Sequence, residues 1–172
     1  MKHPFFQVEY GFAAEPKNKT PPLFNQVHGN TILEVRDADH ALFLQKEQPP
    51  ADGIYTLCPG IPIRVFAADC LPILFFSENS DGPIAAVHSG WRGALNGITS
   101  EMVSRLQGLG GDLHAVLGPC LMPCCFEVKT DFIETFEKAG KQIGTFLEKK
   151  NGGFFFDLPG FVRNTQLFTL RL

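Results

Sequence analysis

Ile61-Pro62-Ile63-Arg64-Val65-Phe66-Ala67, Leu71-Pro72-Ile73-Leu74-Phe75-Phe76 and Ile84-Ala85-Ala86-Val87 follow one another in quick succession near the middle of the chain. Each run is short, apolar and bounded by Pro, Gly or Asp, the pattern expected of strands buried in a core. Three such runs with little between them set a sheet at the centre of the fold. Downstream, Ser89-Gly90-Trp91-Arg92-Gly93 reads as a turn. Leu95, Ile98, Met102 and Leu106 then recur at helical spacing, and Gly108, Gly110 and Gly111 close that helix.

Working outward, Leu113 to Leu117 reads as a further strand, and Thr130 or Asp131 as the cap of a helix with Phe132, Ile133 and Phe136 on one face. The charged residues from Glu134 to Lys150 read as a solvated helix face, Phe154 to Phe156 as a short strand, and the segment after Pro159 as a last helix. Upstream, Thr31 to Arg36 reads as a strand and Ala38 to Gln48 as a short helix stopped by Pro49-Pro50. Phe5 to Phe12 reads as a strand, followed by the turn-rich Glu15 to Pro22. Strands dominate the middle and helices come late. The class is therefore α+β, mixed sheets with helices outside, in one domain spanning residues 1–172.

Of the 172 residues, 44% are hydrophobic and 19% charged, with a formal net charge of -3, so the composition is that of an ordinary globular protein. Lys and Arg are scattered, which argues against a nucleic-acid surface. The N-terminus lacks a secretory h-region, and the most apolar stretch, Ile61 to Phe76, is interrupted by Arg64 and Asp69. No membrane segment is expected, and the cytoplasm is the default location. Five cysteines at irregular spacing in such a chain argue for reduced thiols rather than a disulfide framework.

Three residues stand at strand ends or adjacent turns, where a rigid scaffold displays functional side chains. His28 lies in Asn25-Gln26-Val27-His28-Gly29-Asn30, Cys70 follows Asp69 between two apolar runs, and His88 ends the strand Ile84 to Val87. Two imidazoles and a thiolate form a zinc-binding donor set, and three protein ligands leave a fourth position open for water or substrate. Taken singly, a strand-end His is more often a hydrogen-bonded structural residue and a Cys in an apolar run a small core residue. The turn after His88 carries a similar pair of readings. Its amides and Arg92 suit an anion and Trp91 offers a flat surface to a ring; equally, Trp91 packs inward and Arg92 is solvated. Cys120, Cys124 and Cys125 lack CxxC spacing and read as structural thiols. His3, His40 and His114 have no motif around them.

Read together, Asn25-Gln26-Val27-His28-Gly29, Ala51-Asp52-Gly53, Ala68-Asp69-Cys70-Leu71-Pro72, Val87-His88-Ser89-Gly90-Trp91-Arg92-Gly93, Leu117-Gly118-Pro119-Cys120 and Cys125-Phe126-Glu127-Val128 closely resemble the laccase-domain family. Members of that family are described variously as polyphenol oxidases, purine nucleoside phosphorylases or peptidoglycan editing factors. The resemblance implies an αββα-like sandwich, metal ligation by His28, Cys70 and His88, and phosphorolysis or deamination of adenosine and related nucleosides, with nucleoside and phosphate as small-molecule partners. Asp69 is then a candidate proton shuttle and Arg92 a candidate phosphate ligand. Zinc is the expected metal and copper the second candidate; five histidines are too few for a trinuclear copper centre.

Against the family pattern the sequence is shortened at both ends, with Ala13-Ala14-Glu15 where an Arg is expected, and Arg163 to Leu167 resembles a family helix. Metal binding is expected to survive that shortening. Two other readings stay open: a cysteine hydrolase using Cys70 with His88 or His28 as base, and a non-catalytic shortened paralogue. The oligomeric state is open, a monomer being one option.

Overall fold

A computed structural model describes residues 22–167. The expected strand Phe5 to Phe12 lies outside the described residues. In chain order the elements are β1 (Asn25–Gln26), β2 (Ile32–Val35), α1 (Ala38–Glu47), β3 (Pro50–Ala51), β4 (Gly53–Thr56), β5 (Leu71–Ser77) and β6 (Ile84–Ser89). There follow α2 (Trp91–Leu95), α3 (Ile98–Leu106), β7 (Leu113–Leu117), β8 (Glu127–Val128), α4 (Thr130–Lys138), a 3-10 turn at Gly144–Phe146, β9 (Leu147–Lys150), β10 (Gly153–Phe156) and α5 (Leu158–Gln166).

Five strands form the main sheet in the order β2-β4-β6-β5-β7, with β2 parallel to β4 and the other pairs antiparallel. Alternation along the central strands buries both faces. Leu71, Ile73 and Phe75 of β5 and Ala85 and Val87 of β6 join one core with Ile98, Met102 and Leu106 of α3 and Phe161 and Val162 of α5. Leu74 and Ala86 point the other way, toward Ile54, Val35, Leu44 of α1 and Phe24. Each large side chain so buried contributes about 1.5–3 kcal/mol. A second sheet, β8-β10-β9, is antiparallel throughout, and its Phe156 is fully buried among Phe126, Phe132, Phe136 and Phe161. Mixed sheets flanked by helices make the class α+β, as the sequence pattern predicts. No helix of the described residues is long and apolar enough to cross a membrane.

Side-chain caps set the start of two helices. Asp37 accepts from His40 N–H at 2.7 Å to start α1, and Asp157 accepts from Gly160 N–H at 2.9 Å to start α5, with Pro159 in the first turn. The predicted helix after the glycine turn is two helices, broken at Asn96-Gly97, where Gly97 has φ +76°, and Trp91 and Arg92 belong to the first of them. Neither Thr130 nor Asp131 is the cap of α4; Lys129 holds that position.

Two expectations fail outright. Ile61 to Ala67 is not a strand. Pro62 has no N–H to offer a ladder, and Phe66 spends both of its backbone groups on one side chain. Gln26 Nε2 donates to Phe66 O and Phe66 N–H donates to Gln26 Oε1, each at 2.7 Å. Ile61, Ile63 and Val65 still pack on the second core, so the run is apolar because it is a cover, not a strand. Glu134 to Lys150 is not one helix face: α4 ends at Lys138 and Leu147–Lys150 is a strand. Its Glu-Lys-Lys composition suits a sheet edge, where charge discourages further pairing.

Candidate metal centre

The ladder of the main sheet delivers the site. Gly53 of β4 and Ile73 of β5 both pair with Val87 of β6. Asp52 and His88 are the residues next to that row, and Cys70 directly precedes β5, whose Leu71 pairs with Ser89, so three segments distant in sequence place their side chains at one end of the sheet. His28 arrives separately. The short parallel pairing of β1 with β3 sets Gln26 opposite Ala51, which carries the next turn of chain over Asp52.

Asp52 holds the turn together. It is fully buried, and its carboxylate accepts backbone N–H from His28 at 3.0 Å, Gly29 at 2.6 Å and Val27 at 3.3 Å. These bonds hold His28 in the left-handed region, at φ 59°, an uncommon conformation for a residue with a side chain. The same carboxylate lies 2.8 Å from His88 Nδ1, and His88 N–H donates to Asp52 O at 2.7 Å. An ionised carboxylate only accepts, so Nδ1 is the donor of this pair, and in the neutral imidazole Nε2 is the nitrogen with the lone pair.

Donor atoms of His28, Cys70 and His88 all lie within 4.8 Å of one another, the one group of this kind among the described residues. Cys70 Sγ is 3.9 Å from His28 Nδ1, and the two imidazole rings meet edge to face at 4.8 Å. Two features fit a cation here. The first is the chemistry of the set: two imidazoles and a thiol, with a carboxylate behind one imidazole, as metal-ligating histidines usually have. The second is the space beside them. A Cβ on Gly90 would stand 2.9 Å from Cys70 Sγ and 3.2 Å from His28 Nδ1. Only glycine leaves that side of the donors clear. Burial first, then the charges of Asp69 and Asp52, raise the Cys70 thiol above its ordinary value. Ligation must therefore displace a proton.

Asp69 stands exposed next to Cys70, its carbonyl accepting from Leu121 N–H at 2.9 Å. Arg92 is exposed and lays its guanidinium 4.2 Å over the Trp91 ring. Trp91 itself packs against Phe132 and Phe136, so the inward reading of that side chain is the one realised. Helix α2 is only five residues long. It adds little dipole to the turn before it. Cys120 is half-buried and pushed up to about 11 by burial, then by Asp157 and Cys70. His114 pairs with Glu78 at 2.8 Å and stacks on Phe76, and His40 sits in the first turn of α1; neither belongs to the site. Sequence reasoning quoted Ala51-Asp52-Gly53 without giving Asp52 a role. The available signal was a carboxylate inside a matching segment and directly before a strand.

The chain matches the family described as multi-copper polyphenol oxidoreductase laccase over residues 12–169. It is 36% identical over 145 residues to a protein of Rickettsia conorii called purine nucleoside phosphorylase, with 81% of this chain and 57% of that protein covered. It is 35% identical over 136 residues to a purine nucleoside phosphorylase of Pseudomonas aeruginosa, covering 78% of this chain and 52% of that one. Among solved structures, YfiH of Bacillus licheniformis superposes with a TM-score of 0.71 at 26% identity, over 86% of this chain and 58% of that one. YlmD of Geobacillus stearothermophilus gives 0.69 at 28% identity, over 86% and 59%. The chain thus spans a little over half the length of these relatives. With the fold, the motif order and the match over most of its length in agreement, this chain belongs to the multi-copper polyphenol oxidoreductase laccase family.

Proposed function

We propose that this chain is a zinc-dependent purine nucleoside enzyme, acting by phosphorolysis of adenosine and related nucleosides, by deamination of adenosine, or by both. The observation that carries the reading is the convergence of His28, Cys70 and His88 within 4.8 Å in a chain whose relatives are called purine nucleoside phosphorylases. His28, Cys70 and His88 would hold the ion; copper is the second candidate. Zinc, when bound, supplies Lewis acidity at an open coordination position.

The protein's own groups do the rest. Asp52 fixes the tautomer and direction of His88. Asp69, exposed beside Cys70, relays a proton: in deamination, water adds at the amine-bearing carbon, ammonia leaves, and the proton moves from one to the other. Arg92 holds phosphate. In phosphorolysis the bond from ribose to the purine nitrogen breaks, a bond from ribose to phosphate oxygen forms, and the purine leaves with a proton. The hydrolase alternative needs Cys70 as a thiolate. Burial and two neighbouring carboxylates hold that thiol protonated, which weighs against it.

Chromatography of zinc-loaded protein incubated with adenosine, with and without phosphate, tests the reading. Phosphate-dependent adenine that disappears in folded His88→Ala supports phosphorolysis, and inosine supports deamination. Neither product from fully zinc-loaded protein overturns the nucleoside reading and favours a binding role.

A further inference from the structure

All five cysteines lie among the described residues and none forms a disulfide, but they are not alike. Cys58 is half-buried and donates to Arg36 O; Cys70 belongs to the metal centre; Cys120 is half-buried. Cys124 and Cys125 are the two exposed ones. They are adjacent in the chain, and their sulfur atoms are 2.8 Å apart, well inside the usual contact of two sulfurs. The turn enforces this. Cys125 N–H and Phe126 N–H both donate to Met122 O, folding the segment so that consecutive side chains converge. Lys150, from β9, donates to Cys124 O at 3.1 Å and brings a cation beside the pair.

We infer that Cys124 and Cys125 form a redox-active vicinal dithiol, closed to a disulfide by low-molecular-weight disulfides and reopened by thiols. The hydrogen bond with Cys124 raises the Cys125 thiol, and in the proposed order Cys124 attacks first. The Cys124 thiolate attacks one sulfur of the oxidant, whose S–S bond breaks and releases one small thiolate. Cys125 then gives up its proton and attacks the mixed disulfide at Cys124. The Cys124–Cys125 bond forms and the second small thiolate leaves. Two protein thiols are oxidised by two electrons, one small disulfide is reduced to two thiols, and both protons end on them. The sulfurs need move less than an ångström to reach the bonded distance of about 2.05 Å. Adjacent residues are only about 3.8 Å apart at Cα, below the usual disulfide span, so the ring is strained and readily reduced.

The test treats zinc-loaded protein with glutathione disulfide and follows intact mass and thiol-labelled peptides. The expected result is loss of two hydrogens without an adduct, thiols counted after unfolding in chelator falling from five to three, the link mapping to Cys124–Cys125, and reversal by dithiothreitol. Cys125→Ser should instead trap glutathione on Cys124, and Cys120→Ser should behave as wild type. A stable glutathione adduct on the wild-type pair, a link to Cys120, or five unreacted thiols would overturn the inference.

Discussion

Asp52 Oδ1 lies 2.8 Å from His88 Nδ1 and 3.0 Å from the backbone N–H of His28, so one buried oxygen sets two of the three candidate ligands. The carboxylate orients an imidazole and holds a strained backbone at once. Asp52→Asn keeps the shape, loses the charge, and can no longer accept with both atoms. Metal affinity should fall about 10- to 100-fold. Asp52→Ala, which leaves three amides and His88 without their acceptor, should also cost about 3–5 kcal/mol of stability. Competition with a chromophoric chelator, beside urea unfolding, separates the two effects. Unchanged metal affinity in Asp52→Asn would remove Asp52 from the site.

Gly90 has φ -69° and ψ 169°, a conformation open to any residue. Gly90→Ala should therefore fold with nearly native stability while its methyl closes the space beside Cys70 Sγ and His28 Nδ1. Bound zinc, measured by atomic emission after dialysis, should drop well below one per chain. Full occupancy would show that the ion sits elsewhere.

Alkaline stability should report Cys120. Its thiol rises from an ordinary 9.0 to about 11 in the fold, so between these values the unfolded chain has lost the proton and the folded chain has kept it. Stability is then full below pH 9 and declines as pH rises to about 11. Two pH units correspond to about 2.7 kcal/mol. The thiol is half exposed, so screening leaves roughly 1 kcal/mol. Urea titrations of metal-free wild type and Cys120→Ala on either side of this window should show the smaller pH dependence in the variant.

Phe156→Ala removes a ring with no exposed surface that meets four others at centroid distances of 5.0 to 5.9 Å. The expected cost is about 3–5 kcal/mol in chemical denaturation. A loss below 1 kcal/mol would mean the second sheet is not part of the cooperative unit.

Much of this was legible because central strands and amphipathic helices announce themselves by periodicity. Leu71–Ser77, Ile84–Ser89 and Leu113–Leu117 are nearly where their apolar runs put them. Misreadings arose where a local pattern had a tertiary cause. Ile61 to Ala67 is apolar like a strand, but the partner that claims Phe66 is a side-chain amide forty residues earlier. No local window contains Gln26. Gly53–Thr56 went unread because four residues beside Pro, Cys and Gly carry too little pattern, although they are the bridge between β2 and β6. Asp52 has no local pattern around it that assigns a role, and only the three amides converging on it reveal a buried anchor.

The sheet order has a further consequence, for the time at which the centre comes into being. His28 and His88 bracket the candidate ligands in the chain, and β6 fills the place between β4 and β5. The β5–β6 hairpin brings Cys70 and His88 to one end, but it lacks Asp52 and His28. A nascent chain has no complete donor set until residue 88 has been made and β6 has paired on both edges. An ion held there would be a passenger on folding rather than its nucleus. It would arrive last, and it would lock the long-range pairing of β4 with β6, slower to form than a local hairpin.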